Sequence, residues 1–242
     1  MPTLILTPRF TEDSQMLWRS ARQLGWDVER LKTWRLPTRL QSVADPVFYV
    51  EALFGPSLAQ EIGLALLEPA EDWLICLPYS YRKRQISMMS MAQARQITQP
   101  AFIKPPNDKS FPARVYTGAQ LPENYDDELS VLVSEVVSWE KEFRCFILNR
   151  QIQTTSIYLR GQRTQRENSF YASPSELKAA EAMVNAVLMD SSVEIPQAAV
   201  VDVGVIKGRG WAVVEMNSAW GAGIYGCNPR RVLNVLRHAT VS

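Results

Sequence analysis

The chain has a single histidine, His238, close to its C-terminus. A histidine-based catalytic triad and a multi-histidine metal site are therefore excluded. Cysteine is nearly as scarce: Cys76, Cys145 and Cys227 stand far apart, with no CxxC pair among them. The first two sit in the apolar segments WLICLP and EFRCFIL, which predicts buried free thiols in a reducing compartment rather than disulfides. An excess of charge is also missing. Lysine and arginine number 26 against 25 aspartates and glutamates, so no overall field favours nucleic acid or an anionic membrane. No apolar run reaches the ~18 residues of a membrane span, and the run in MPTLILTPRF is too short for a signal peptide. These absences predict a cytoplasmic protein whose partners are selected by local sites. There is no internal repeat and no low-complexity tract.

What is present suits a folded α/β chain. At 242 residues with 46% hydrophobic and 21% charged residues, the chain can bury a core without a disulfide or metal staple. Thr3 to Leu6 is a short apolar run, a helical pattern with Leu17, Ala21 and Leu24 on one face follows, and Trp26 to Leu31 alternates like a strand. That order predicts a parallel pair opening an α/β lobe over residues 1–78. Residues 79–99 read as a connector ending in a helix, with Arg82, Lys83 and Arg84 taken as a solvated charge run. From Pro100 short β runs succeed one another: AFIK, ARVYTG, VLVSEVV, FRCFIL and QTTSIYL, separated by turn residues. Ser173-Pro174-Ser175-Glu176 has the form of a capping box opening a helix. Two strands, around 198–205 and 211–216, are joined by the turn Lys207-Gly208-Arg209-Gly210, and Asn228-Pro229 caps a last helix.

Three groups of residues stand out chemically. In the last hairpin Glu215 and Asn217 alternate onto one strand face, and the turn returns Asp202 toward them. Their oxygens suit one hard cation such as Mg2+, or else face solvent from a half-exposed strand. Lys104 ends the apolar strand Phe102-Ile103-Lys104 before a proline, a placement that fits either an anionic ligand or a charge guarding an edge strand. The nearby turn Asn107 to Phe111 brings a second lysine, Lys109, toward the same place. Glu142 and Arg144 share a strand face, as an ion pair or as a clamp on a phosphoryl group.

Taken together these residues resemble the ATP-grasp superfamily, and within it the R-two-K clade of amide-forming ligases. The spacing of Asp202, Glu215 and Asn217 is similar to the aspartate followed thirteen residues later by Glu-x-Asn that holds magnesium in that family. The resemblance implies an α/β (α+β) ATP-grasp fold in which two α+β lobes, residues 79–137 and 138–242, clasp ATP behind the opening lobe. It also implies that Lys104 holds the nucleotide phosphates, that a hinge at Glu135, Val136 and Val137 reads adenine, and that Glu142 binds ribose. The glycine-rich loop usual over the phosphates is absent, so Lys109 is expected to cover them, with Arg144 steadying the developing charge. The implied reaction is ATP- and Mg2+-dependent joining of a small-molecule or peptide carboxylate to an amine through an acylphosphate. The alternatives are a kinase-like phosphotransferase and a nucleotide-binding module without catalysis.

Overall fold

A computed structural model describes residues 1–107 and 109–241. The chain opens with β1 (Thr3–Leu6), α1 (Glu12–Gln23), β2 (Asp27–Arg30) and β3 (Pro46–Tyr49), whose strands form a parallel sheet in the order β2-β1-β3. Thr11 caps α1 by accepting from the Ser14 amide, while Ser14 reciprocates on the Thr11 amide. The sheet shares its core with the far end of the sequence. Leu4, Leu6 and Leu17 pack with Trp220 and with Val232, Leu233 and Leu236 of the last helix.

After α2 (Gly55–Gln60) and the short β4 (Ala65–Leu66), the chain makes α3 (Trp73–Cys76) and α4 (Tyr79–Arg82) and enters β5 (Ile86–Ser90), capped into α5 (Met91–Ala94) by Ser90. The connector expected over residues 79–99 does end in a helix, α5, but strand β5 before it was not expected. Its register on β8 (Ser130–Ser134) sets Met88 beside Leu132 and Met89 beside Val131, and this cross-strand pairing prevails over the helix-forming tendency of the methionines. With β6 (Ala101–Lys104) and β7 (Arg114–Tyr116) these strands form a four-stranded sheet in the order β5-β8-β6-β7. Its outer side has a small core of its own, built on Ile103, Phe111, Tyr116 and Val131.

The larger sheet follows: β9 (Trp139–Leu148), β10 (Gln151–Arg160), β11 (Arg163–Thr164), then α6 (Pro174–Met189), β12 (Ala198–Ile206) and β13 (Gly210–Ser218), ordered β11-β10-β9-β12-β13. The capping box at Ser173 and Glu176 forms as its sequence predicts. Alternation divides the faces of β9 and β12. Phe143, Cys145, Ile147, Val201 and Val203 pack with Val184 and Val187 of α6, while Phe146, Leu148 and Val200 face the opening lobe and α7 (Pro229–Leu236). The chain closes with β14 (Thr240–Val241), paired to β4. Gly208 and Gly210, both at positive φ, make the turn that folds β13 onto β12. No helix among the described residues is long and apolar enough to cross a membrane. All three cysteines are free, and Cys145 and Cys227 are buried, but Cys76 ends α3 on the surface, against the expectation from its apolar neighbours.

Candidate active site

The row of charge on the large sheet is set by register. Ser156 lies opposite Arg144, Arg144 opposite Asp202 and Asp202 opposite Glu215, so the three charged side chains stand next to one another on neighbouring strands. Arg144 grips Asp202 at both oxygens, Nε to Oδ1 at 3.0 Å and Nη2 to Oδ2 at 2.6 Å, and its Nη1 donates to the Gly223 carbonyl at 2.8 Å. The pair is nearly without solvent, at 7% and 0% side-chain exposure. Tyr158 and Tyr225, stacked 5.0 Å apart, both lie against the guanidinium, at 5.4 and 4.8 Å from ring centre to Cζ. Burial works against the charge on Arg144, yet Asp202 holds the guanidinium protonated well above its ordinary range. A bidentate contact of this kind matches the guanidinium fork and is one of the few ways to keep two charges inside a protein.

Glu215 faces the opposite sheet. Lys104 Nζ, at the end of β6, donates to its Oε2 at 2.5 Å, joining the two sheets across the cleft between them. The Asn217 amide donates to Glu215 Oε1 at 3.0 Å and to Asp202 Oδ2 at 3.2 Å. Burial pushes the Glu215 carboxyl up, but the Lys104 ammonium and the Asn217 amide outweigh it and hold the group down at about 2. Asp202, Glu215 and Asn217 are thus brought together as their spacing predicts, with a difference. The cations beside the two carboxylates are side chains of the protein, Arg144 and Lys104. Among the described residues no group of three or more His, Cys, Asp or Glu is placed to hold a metal, so the candidate set consists of two carboxylates and an amide.

The cleft, about 350 Å³, is lined on one side by Ile86, Phe102, Lys104 and Leu132 and on the other by Glu142, Tyr158, Val214 and Glu215. The linker Glu135–Val137 closes its edge. Glu135 also forms a bidentate ion pair with Arg209 and accepts from the Gln85 amide, contacts that hold its carboxyl at about 2. Glu142 behaves in the opposite way. Burial, with Asp202 and Glu215 nearby, pushes it up to about 7, against the pull of the Tyr158 hydroxyl that donates to it at 2.6 Å. Glu142 and Arg144 therefore do not pair: each has taken another partner, because Asp202 offers the arginine a better-placed carboxylate.

Two placements depart from expectation. Arg84, read as part of a solvated run, is only 5% exposed and lines the cleft. It donates to the carbonyls of Val213 and Val214, both at 2.7 Å. Successive carbonyls of a regular strand point opposite ways. The irregular register after Asp202, where Val203 pairs with Val213 and leaves Val214 over, lets one guanidinium take both. Its signal in the sequence is the period-two series Arg84, Ile86, Met88, visible only once β5 is seen to be a strand. Lys109 lies away from the cleft and lines a second cavity with Arg9, Tyr49, Glu51 and Tyr125. The core placement of Phe111 draws the loop after β6 toward Tyr125. Asp108, within the same predicted turn, lies outside the described residues.

An apolar slot with Lys104 and Arg84 along it and a backbone segment at its rim suits a planar group joined to a polyanion. Comparison with known proteins identifies the family and the fold. The profile of the ATP-grasp domain, R-two-K clade family 2, matches residues 81–235. D-cycloserine synthetase DcsG superposes with a TM-score of 0.62 at 12% identity, over 98% of this chain and 99% of that one. The RimK domain protein ATP-grasp from Sphaerobacter thermophilus DSM 20745 gives 0.56 at 13% identity, over 98% of both chains. D-alanine–D-alanine ligase from Bacillus anthracis gives 0.55 at 11% identity, over 98% and 96%. At such identities the likeness is one of fold. No match was found among functionally curated proteins.

Proposed function

The chain belongs to the ATP-grasp domains, R-two-K clade family 2, and from that premise we propose that it is an ATP-dependent ligase joining a carboxylate to an amine. The observation that carries the reading is the Lys104–Glu215–Asn217 constellation, which links the two sheets at the polar end of an apolar cleft. In this reading the backbone of Glu135 to Val137 takes the adenine edge and Glu142 the ribose. Lys104 and Arg84 take phosphate oxygens, whereas Lys109, which lines the other cavity, takes none.

The donor chemistry fits magnesium, a hard cation that leans on one or two carboxylates, water and substrate phosphates. The Asn217 amide turns its nitrogen to both carboxylates, which leaves its oxygen for a cation. An Asp202 oxygen already accepting from Arg144 retains a second lone pair. Glu215 and Asn217 would hold the ion with Asp202 behind them, and it would neutralise charge on the phosphates. Lys104, which donates to Glu215 in the free protein, would donate to a nucleotide phosphate instead. Arg144, fixed by Asp202, Gly223 and the two tyrosine rings, stays protonated, and the part of its charge that Asp202 does not compensate would steady the charge that develops on the phosphates. The γ-phosphoryl group passes to a carboxylate oxygen with loss of ADP. The amine then attacks the acyl carbon, phosphate leaves, and the amine gives up a proton. Catalysis is by positioning and charge neutralisation, which needs no histidine and no enzyme nucleophile.

The test is ADP release with Mg2+ and pooled amino acids as carboxylates and amines, with hydroxylamine present to trap the acylphosphate as a hydroxamate. Hydroxamate and amide are expected. A phosphoester product would make the protein a phosphotransferase, and nucleotide binding without acceptor-dependent ADP would make it a binding module. Glu215→Gln sharpens the metal assignment. Without Mg2+ the variant and wild type should bind nucleotide similarly, and the gap should open as Mg2+ is added; an unchanged Mg2+ dependence of ADP release rejects the assignment.

A further inference from the structure

The second cavity, about 700 Å³, lies where the carboxyl ends of β1 and β3 meet the loop that follows Asn217. Gly221 of that loop lines it, and the Val50 amide donates to the Trp220 carbonyl at 3.0 Å, so the cavity is tied to the strand that carries Glu215 and Asn217. Two features of its wall point to a ligand. The first is Glu51: its Oε2 is buried and, among the described residues, has no hydrogen-bond partner. The nearest ion-pair partner, Arg9, is 3.8 Å away at Oε1 and itself 65% exposed. Arg30, whose charge also reaches Glu51, is spent on the carbonyls of Thr7 and Arg9 and the hydroxyl of Ser14. A buried carboxylate oxygen left unpaired is costly, and a donor supplied by a ligand removes the cost. The second feature is an aromatic wall. Trp34 and Phe54 stack with ring centres 4.0 Å apart and line the same cavity.

We propose that this cavity is the amine site of the reaction above, and that it selects a primary ammonium carrying an aromatic or similarly flat apolar group. Glu51 receives the ammonium at its unpaired oxygen and the Trp34–Phe54 stack receives the apolar group. The assignment of the cavity to the amine half rests on the ligase reading, whereas the selectivity for an aryl ammonium rests on the cavity alone. Binding is therefore measured without nucleotide. The probes are 2-phenylethylamine, its neutral counterpart 2-phenylethanol, and the anionic 3-phenylpropionate, each titrated calorimetrically against the full chain.

The amine should bind saturably and at least tenfold more tightly than the alcohol or the carboxylate. Glu51→Gln, which keeps the shape of the side chain, should weaken the amine roughly ten- to a hundredfold, the range for a hydrogen bond to a charged group. Phe54→Leu should weaken it several-fold by removing the stack. Glu51→Gln loses only the long Arg9 contact and the distant charge of Arg30, so it should melt within a few degrees of wild type, which separates a lost ligand contact from a lost fold. The proposal is overturned if 2-phenylethylamine does not bind, if 3-phenylpropionate binds as well or better, or if Glu51→Gln binds the amine like wild type. If the amine binds as expected but no acceptor releases ADP, the ligase reading fails and the aryl-ammonium site stands.

Discussion

The two sheets facing each other across the cleft hold their charges in different ways. On the five-stranded sheet Arg144 and Asp202 occupy neighbouring central strands, with α6 packed behind and tyrosine rings over the guanidinium. Every polar atom of that pair has a partner, and its geometry follows from backbone register. On the four-stranded sheet a single lysine, Lys104, reaches from a strand end, with a small core behind it. Its contact with Glu215 is partly open to solvent, at 15% and 27% side-chain exposure. The proposed reaction would use both: charge that stays in place, and a more open contact whose lysine could pass to the ligand.

Breaking the frame should have the largest effect. Arg144→Ala leaves Asp202 buried beside nothing that neutralises it, and denaturant unfolding should show a loss of about 3 to 5 kcal/mol, the range for removing one member of a buried pair. Arg144→Lys should recover only part, since an ammonium cannot make the two-pronged contact. If Arg144→Ala unfolds like wild type, the buried pair is not the frame described here.

The contact on the opposite sheet should respond differently. Lys104→Ala is expected to leave the melting temperature within a few degrees of wild type and to weaken ATP binding by about 1.5 to 3 kcal/mol, the range for a charge-assisted hydrogen bond. Calorimetry that finds full affinity in a folded Lys104→Ala protein would remove this lysine from the site. Equal losses of stability from Lys104→Ala and Arg144→Ala would erase the contrast between the two sheets.

A smaller effect should come from Glu142, which separates the two arrangements by pH. Its carboxyl is held at about 7 in the fold, against about 4.3 in an unfolded chain. Between those values the folded protein carries the extra proton, so this group makes stability fall as pH rises from about 4.5 to 7. Glu215 has the opposite sign. Its pKa of about 2 gives stability that is present above the unfolded value and is lost as pH falls toward 2. Glu142→Gln should flatten the decline between pH 4.5 and 7 and leave the acid limb unchanged. An unaltered slope in melts across that window would show that Glu142 is ionised throughout it.

Much of this was legible in one dimension, for reasons that residues make plain. Period-two alternation put Glu215 and Asn217 on one face, and two turn glycines returned Asp202 to them. Capping residues at Ser173 and Asn228 marked helix starts, and the order strand, helix, strand predicted the parallel opening. The spacing of Asp202, Glu215 and Asn217 carried the family resemblance that the profile match confirms. Local pattern was enough because each of these features depends on residues close together in the chain.

Partnership was not legible, because it depends on which strands lie side by side. Arg144 lies 58 residues from Asp202 and Lys104 lies 111 from Glu215, and nothing within either segment states the pairing. Alternation placed Glu142 with Arg144, while β12, lying beside β9, supplied Asp202 instead. The charge run at Arg82 to Arg84 reads as solvated until β5 pairs with β8 and the irregularity at Val214 offers Arg84 two carbonyls. Glu51 carries no local signal at all. By itself the sequence determined which residue types were available, which face of its own strand or helix each would occupy, and the superfamily to which their spacing belongs. Tertiary structure decided which charges neutralise one another and which oxygen is left for a ligand, since both depend on distances that only the packed sheets define.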